Sequence, residues 1–309
     1  MLSGGYRGHG LPARVADFAA CGHRPSNRSW RTVVDTVDTF ELSKEQLVDH
    51  ADKQMDLYLE DNGYSTVQKL ALTCRILFDN GHDSGLAGQI TTRGADRDTF
   101  YTQRLGLGFD EISAGNFLLV NEHLEVLEGE GMANPANRFH SWVYRARPDV
   151  NCIIHTHAVH TAALSMLEVP LEVSHMDNCV LYDDVAFVAK WPGVPVGNEE
   201  GELISGALGG KSALMLSHHG LLIAAPTIEE ACVKALAFER AAKMHLLAAA
   251  AGKIQPIEVA LGKEAHDWIL KPKRNVAAFN YYARRALRDP RNRECIELPA
   301  DRAGSGQHG

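Results

Sequence analysis

Two rhythms of apolar residues alternate along this chain. Leu47, Met55 and Leu59 recur at roughly helical spacing behind Ser43-Lys44-Glu45-Gln46, which has the spacing of a capping box. Ser65-Thr66-Val67-Gln68 repeats the cap ahead of Leu70, Leu72, Ile76 and Leu77, and Asn80-Gly81 stops that helix. Short runs then predict strands at 89–93 and 100–105, around a turn at Gly94-Ala95-Asp96, and a strand pair within 117–127 about Asn121-Glu122. Pro135 suits the first position of a helix whose face carries Phe139, Trp142 and Val143. Further strands are predicted at 150–157, 185–188, 213–216 and 221–224, with an extended piece at 170–173 and helices at 161–167 and 199–208. Thr227-Ile228-Glu229-Glu230 is a third capping box and opens a long helix that runs to Gly252, read as its C-cap glycine. Strands that alternate with helices define an α/β class with a layered sheet.

Composition narrows the function classes. The 309 residues suffice for one large domain or two small ones. A formal charge of −8 argues against nucleic acid or an anionic membrane as partner. No run of 18 apolar residues occurs, so no membrane span is expected. The first 25 residues lack the apolar stretch of a secretory signal. The six cysteines (Cys21, Cys74, Cys152, Cys179, Cys232, Cys295) are scattered without a CxxC, which fits reduced cytoplasmic thiols and neither a disulfide framework nor a Cys-rich zinc module.

The strand at 150–157 ends in His155-Thr156-His157. A strand sends residues i and i+2 to the same face, so the two imidazoles converge, and two convergent imidazoles are half of a zinc-type site. The third ligand is expected from Ser217-His218-His219-Gly220, a tight turn between two apolar strands; the pattern leaves open which histidine it is, the other being a turn or core residue. Three neutral imidazoles and an open position make a catalytic rather than a structural site. His140 and His160 read as packing residues. His175, close to Asp177, is either structural or a proton donor or acceptor, should it reach the metal. Gly85-Leu86-Ala87-Gly88-Gln89 resembles an anion-binding loop but lacks both phosphate-loop patterns, so nucleotide binding is not supported. Gln89, Arg93 and Arg138 form the expected substrate-contacting set; Arg93, Arg104 and Arg138 are suited to a carboxylate. No GxSxG occurs.

The order Arg145-Ala146-Arg147-Pro148-Asp149-Val150, then HTHxxH, then SHHGLL, then the helix at 227–252 resembles the class II aldolase/adducin family. The resemblance implies a three-layer α/β/α fold with a central, largely antiparallel sheet. It assigns the metal to His155, His157 and His219. The metal would be Zn2+, with Mn2+ or Fe2+ as alternatives. It implies a homotetramer with sites at subunit interfaces, and a lyase that cleaves a C–C bond in a small hydroxy-carbonyl or 2-oxo acid through a metal-stabilised enolate. The alternatives within the family are decarboxylation of a hydroxy-aromatic or 2-oxo carboxylate, an iron-dependent oxygenase, and a non-enzymatic adducin-like binding module. Family aldolases carry an acid/base glutamate four residues before the helix histidine; counting back from His140 lands on Ala136. Their phosphate-binding residues are not recognisable either, so a phosphorylated sugar is not expected. His175 falls close to the position of the family's proton-donating tyrosine. The expected organisation is an irregular arm at 1–40, whose order depends on another subunit, a metal-binding domain at 41–252, and a C-terminal extension at 253–309 with a disordered tail.

Overall fold

The protein is described here from a computed structural model covering residues 38–298. Most of the expected arm, with Cys21, and the tail from residue 299 lie outside the described residues. The chain divides into two compact units, 1–48 and 49–309. Of the first, the described part is a 3-10 turn at Thr39–Glu41 and the start of α1 (Lys44–Tyr58), where Ser43 and Gln46 exchange their cap hydrogen bonds at 2.8 and 3.3 Å.

The second unit is built on one eight-stranded sheet. In chain order the elements are α2 (Thr66–Phe78), β1 (Gln89–Arg93), β2 (Thr99–Gln103), β3 (Phe117–Asn121), β4 (Val126–Glu128), α3 (Arg138–Ala146), β5 (Cys152–Thr156), α4 (Val159–Ser165), β6 (Val185–Val188), α5 (Asn198–Leu208), β7 (Ala213–Leu216), β8 (Leu221–Ala225), α6 (Ile228–Ala251), α7 (Val259–Ile269) and α8 (Pro272–Ala286). The strand order is β4-β3-β2-β1-β5-β8-β7-β6, and every neighbouring pair is antiparallel except β6–β7.

The continuous apolar runs of β5, β7 and β8 follow from burial on both faces. Cys152, Ile154, Met215, Leu221 and Ile223 point into a core shared with α2, α6 and α8. Ile153, Leu214, Leu216, Leu222 and Ala224 point into a second core with Phe139 and Val143 of α3 and Ile204 and Leu208 of α5. The result is the three-layer α/β/α arrangement with a largely antiparallel sheet. Phe279, Ala283, Ala286 and Cys295, all beyond Gly252, are buried in the first core. The five cysteines of the described residues are buried and unpaired.

Residues 170–173 join no strand ladder, and only Leu171 is buried there. Two local expectations change. α4 begins at Val159 rather than Thr161, since a carboxylate from α6 satisfies its first N–H groups, as described below. Gly252 does cap α6, but with φ 161°, extended backbone that any residue adopts, so the position does not require glycine.

Candidate metal centre

His155 is the penultimate residue of β5 and lies abreast of Gln89 on β1 and Leu222 on β8. It therefore faces the α3 side of the sheet, with Ile153 and Leu222. His157 follows just past the strand end, and His219 comes from the turn between β7 and β8. The ring centroids stand 4.9 Å (His155–His157), 4.8 Å (His155–His219) and 4.6 Å (His157–His219) apart, and one ligand atom from each ring lies within 4.8 Å of the others.

The tautomer of His155 is fixed by a neighbour. His155 Nδ1–H donates to the Leu221 carbonyl at 2.8 Å, which leaves the lone pair on Nε2. That atom sits 3.0 Å from His157 Nε2. Burial, then the nearby His219 and His157 rings, hold the His155 pKa well below the usual imidazole value. Burial also lowers His157, and burial followed by His157 lowers His219 to about 4. His219 Nδ1 is buried without a protein partner. Three neutral imidazoles, each with one ring nitrogen turned toward the others, suit a borderline divalent cation, and no carboxylate of the described residues joins the cluster.

The turn that delivers His219 depends on Gly220. A Cβ there would lie 2.3 Å from the Thr156 carbonyl oxygen and 2.9 Å from His157 Cδ2. Gly220→Ala should push the turn away from β5, cost about 1–3 kcal/mol of stability by overpacking, and weaken metal binding at least about tenfold, the scale seen when ligand support is disturbed. Denaturant titration and competitive metal titration would read the two effects, and unchanged metal affinity would refute the steric argument.

Around the histidines the layer between sheet and α3 is unusually polar. Phe139 meets His155 edge-on, with ring centroids 5.2 Å apart. His140 is buried, with Nδ1 2.8 Å from Thr91 Oγ1, which lies 2.8 Å from Tyr144 OH. Asn137 Nδ2 donates to Thr102 Oγ1 at 2.8 Å. Gln89 Oε1, Asn137 Oδ1 and His140 Nε2 are buried without protein partners. On the other side, Thr156 Oγ1 lies 2.8 Å from His82 Nδ1. The Glu239 carboxylate of α6 accepts four hydrogen bonds at the start of α4: from the N–H and Nδ1–H of His160 (2.9 and 2.6 Å) and from the N–H and Oγ1–H of Thr161 (2.9 and 2.8 Å).

His82 and His140 give the fold a pH dependence. Burial lowers His82 to about 4, offset slightly by Glu239, and lowers His140 to about 3. Both stay neutral in the folded state while the unfolded chain takes up protons near pH 6.5. The unfolded state thus binds more protons below that pH, and stability falls as pH falls from 6.5 toward 4. His82 and His140 together contribute a loss of about 3 kcal/mol per pH unit at the steepest point, two protons at about 1.4 each, and in denaturant titrations of the metal-free protein the lowered His155, His157 and His219 add to that slope. A flat profile would place both rings in contact with water.

The expected site residues divide. Gln89 stands beside His155. His160 is a packing residue, through Glu239, and His218 is the turn histidine, with φ 55° and its Nε2 2.9 Å from Glu168 Oε1. Arg93 lies four residues along β1 from Gln89, roughly 13 Å away at strand spacing. Its guanidinium is spent on the carbonyls of Val150, Arg97, Tyr144 and Arg147. Arg138 contacts the Glu122 carbonyl at 3.5 Å, two residues and so more than half a turn from His140. His175 caps the 3-10 turn Met176–Leu181, accepting the Asp177 N–H on Nδ1 at 3.2 Å. It lines a cavity of about 350 Å³ with His245 and Lys253, and none of the three clustered histidines lines that cavity. Sequence reasoning passed over Glu239, His82 and Glu168.

A family model described as Class II Aldolase and Adducin N-terminal domain matches residues 68–246. The chain is 31% identical over 211 residues to Decarboxylase NovR of Streptomyces niveus, covering 66% of this chain and 78% of that protein. It is 30% identical over 206 residues to a 4-hydroxy-3-prenylphenylpyruvate oxygenase/4-hydroxy-3-prenylbenzoate synthase of Streptomyces roseochromogenus subsp. oscitans, covering 65% and 74%. Among solved structures, L-fuculose 1-phosphate aldolase from Glaciozyma antarctica PI12 superposes with a TM-score of 0.69 at 27% identity, over 79% of this chain and 99% of that one.

Proposed function

Because the chain belongs to the class II aldolase and adducin family, we propose that it is a divalent-metal-dependent C–C lyase of aldolase type, acting on a small hydroxy-carbonyl or 2-oxo acid. The observation that carries this reading is the convergence of three neutral imidazoles, His155, His157 and His219, with the tautomer of the first fixed by the Leu221 carbonyl. They would hold Zn2+, or Mn2+ or Fe2+ in its place. A divalent cation held there supplies Lewis-acid stabilisation of the negative charge that C–C cleavage leaves on a substrate oxygen.

The chain's own groups support a polar substrate. If Tyr144 OH donates to Thr91 Oγ1 and Thr91 donates to His140 Nδ1, every proton in that chain of hydroxyls finds an acceptor, and His140 Nε2 carries an N–H. This donor and the two free acceptors, Gln89 Oε1 and Asn137 Oδ1, are complementary to carboxyl and hydroxyl groups. His175 enters the reading as proton donor to a neighbouring subunit's centre in a cytoplasmic homotetramer with interface sites; its own cavity is separate from the histidine cluster. No helix of the described residues is long and apolar enough to cross a membrane.

One observation favours decarboxylation as a second reading. Ala136 occupies the 3-10 turn Pro135–Asn137 before α3, where the family's aldolases carry the acid/base glutamate. Retro-aldol cleavage must deprotonate an alcohol, whereas decarboxylation needs no such base. The test is metal analysis of the purified protein followed by turnover of 2-oxo and hydroxy acids with and without a chelator. The expected result is one zinc per chain and loss of turnover on chelation. A pair of carbonyl products without CO2 marks the aldolase, and CO2 release the decarboxylase. Full activity in metal-free protein would end the proposal.

A further inference from the structure

Two of the non-glycine residues with positive φ touch each other beside the histidine cluster: Glu168 (φ 53°) and His218 (φ 55°). His218 Nε2 and Glu168 Oε1 are 2.9 Å apart. The N–H groups of both residues donate to one acceptor, the Ser165 carbonyl at the C-terminus of α4, each at 3.3 Å. Left-handed backbone at side-chain-bearing residues persists where the surroundings hold it in place, and it concentrates at sites that need fixed geometry.

The placement of α4 gives this pair a purpose. α4 follows directly on His155 and His157, and Glu239 ties its first turn to α6 with four hydrogen bonds. Its far end is therefore fixed relative to β5. The turn of residues 217–220, which carries His219, is otherwise held by its own hairpin, through Leu216 N–H to Gly220 O at 2.9 Å and His219 N–H to Leu216 O at 3.2 Å, and by Ser217 N–H to Val188 O of β6 at 3.0 Å. The contact of His218 with Ser165 and Glu168 is the tie between that turn and the end of α4.

We propose that Glu168 is a positioning residue for the metal centre: through His218 it locks the 217–220 turn to α4, and so holds His219 at the spacing that His155 and His157 require. This rests on the reading of the three histidines as metal ligands. It explains why the two adjacent histidines divide their work, His218 engaged outward by a carboxylate and His219 turned inward. A donor set already in place binds more tightly than one that must be ordered on binding.

The pair is half exposed, with side chains 46% and 56% accessible, so removing it costs the fold little. That separates positioning from mere stability. Full-length protein loaded with zinc would be mixed with excess chelator and the release rate followed, alongside the thermal midpoint of the metal-free form. Glu168→Ala should speed release about tenfold, the lower end for loss of a group that supports a ligand, and leave the metal-free midpoint within about a degree. Glu168→Gln, which can still accept the imidazole N–H, should fall between. His218→Gly, which removes the pair and the strain together, should match Glu168→Ala, and the double variant should release no faster than either single one. Release from Glu168→Ala within twofold of the parent, multiplicative effects in the double variant, or an equal drop in metal-free stability would overturn the proposal. A parent that takes up no zinc overturns the ligand assignment as well, whereas a zinc-loaded parent with unaltered release in the variants overturns the positioning role alone.

Discussion

His155→Ala should yield a folded protein that retains no stoichiometric divalent metal and turns over at least about a thousandfold more slowly. Of the three clustered imidazoles it is the most deeply buried, at 1% accessibility, and its donating nitrogen is aimed by a backbone carbonyl on the adjacent strand. Its loss removes both a ligand and the centre's fixed reference. A thousandfold corresponds to about 4 kcal/mol of barrier, within what Lewis-acid stabilisation of a developing oxyanion supplies. The fold should tolerate the change, because the imidazole is neutral and its hydrogen-bonding partners are confined to the Leu221 carbonyl and the His157 ring. Elemental analysis and initial rates on the same preparation check this. One equivalent of bound metal, or more than a tenth of parental turnover, would refute it.

The largest stability effect should come from Glu239→Ala. Four donors on His160 and Thr161 lose their acceptor, and Thr161 is wholly buried. Each buried donor left unpaired costs roughly 1–3 kcal/mol, less where water can enter, so a total near 4 kcal/mol is expected. For a protein of this size that is a fall of roughly 10 °C in thermal midpoint. Glu239→Gln keeps one acceptor oxygen and turns an amide toward the remaining donors, so it should fall between parent and Ala. A midpoint shift under about 3 °C in Glu239→Ala would show that the start of α4 is held by something other than the carboxylate.

What the sequence made legible was what local periodicity and short spacing encode. The capping boxes at Ser43 and Ser65 and the two convergent histidines are properties of four or fewer consecutive residues, and local stereochemistry decides them. The register that sets Gln89 abreast of His155 belongs to the pairing of β1 with β5, which no local pattern states. The remainder was tertiary. Glu239 acts on a residue 79 positions away, and no spacing rule connects them. Gly220 was visible as a glycine, but the reason for it is a carbonyl on another strand. Arg93 read as a substrate contact suited to a carboxylate, whereas four carbonyls from the ends of α3, β5 and the β1–β2 turn consume its donors. The start of α4 was misjudged for the same reason as Glu239, because the acceptor that completes it lies in α6.

The pairing of β5 with β8 has a kinetic corollary. His155 and the carbonyl that orients it are 66 positions apart, and His219 sits on the hairpin that the same pairing docks. Closing so long a loop is slow, and contacts across it form late in the search for the native state. On that account the three ligands are expected to be still apart in the folding transition state, where a cation would gain nothing. Zinc should leave the refolding rate unchanged and act almost entirely on the unfolding limb of the chevron, so that the protein's lifetime once folded, rather than its speed of folding, is what the metal sets.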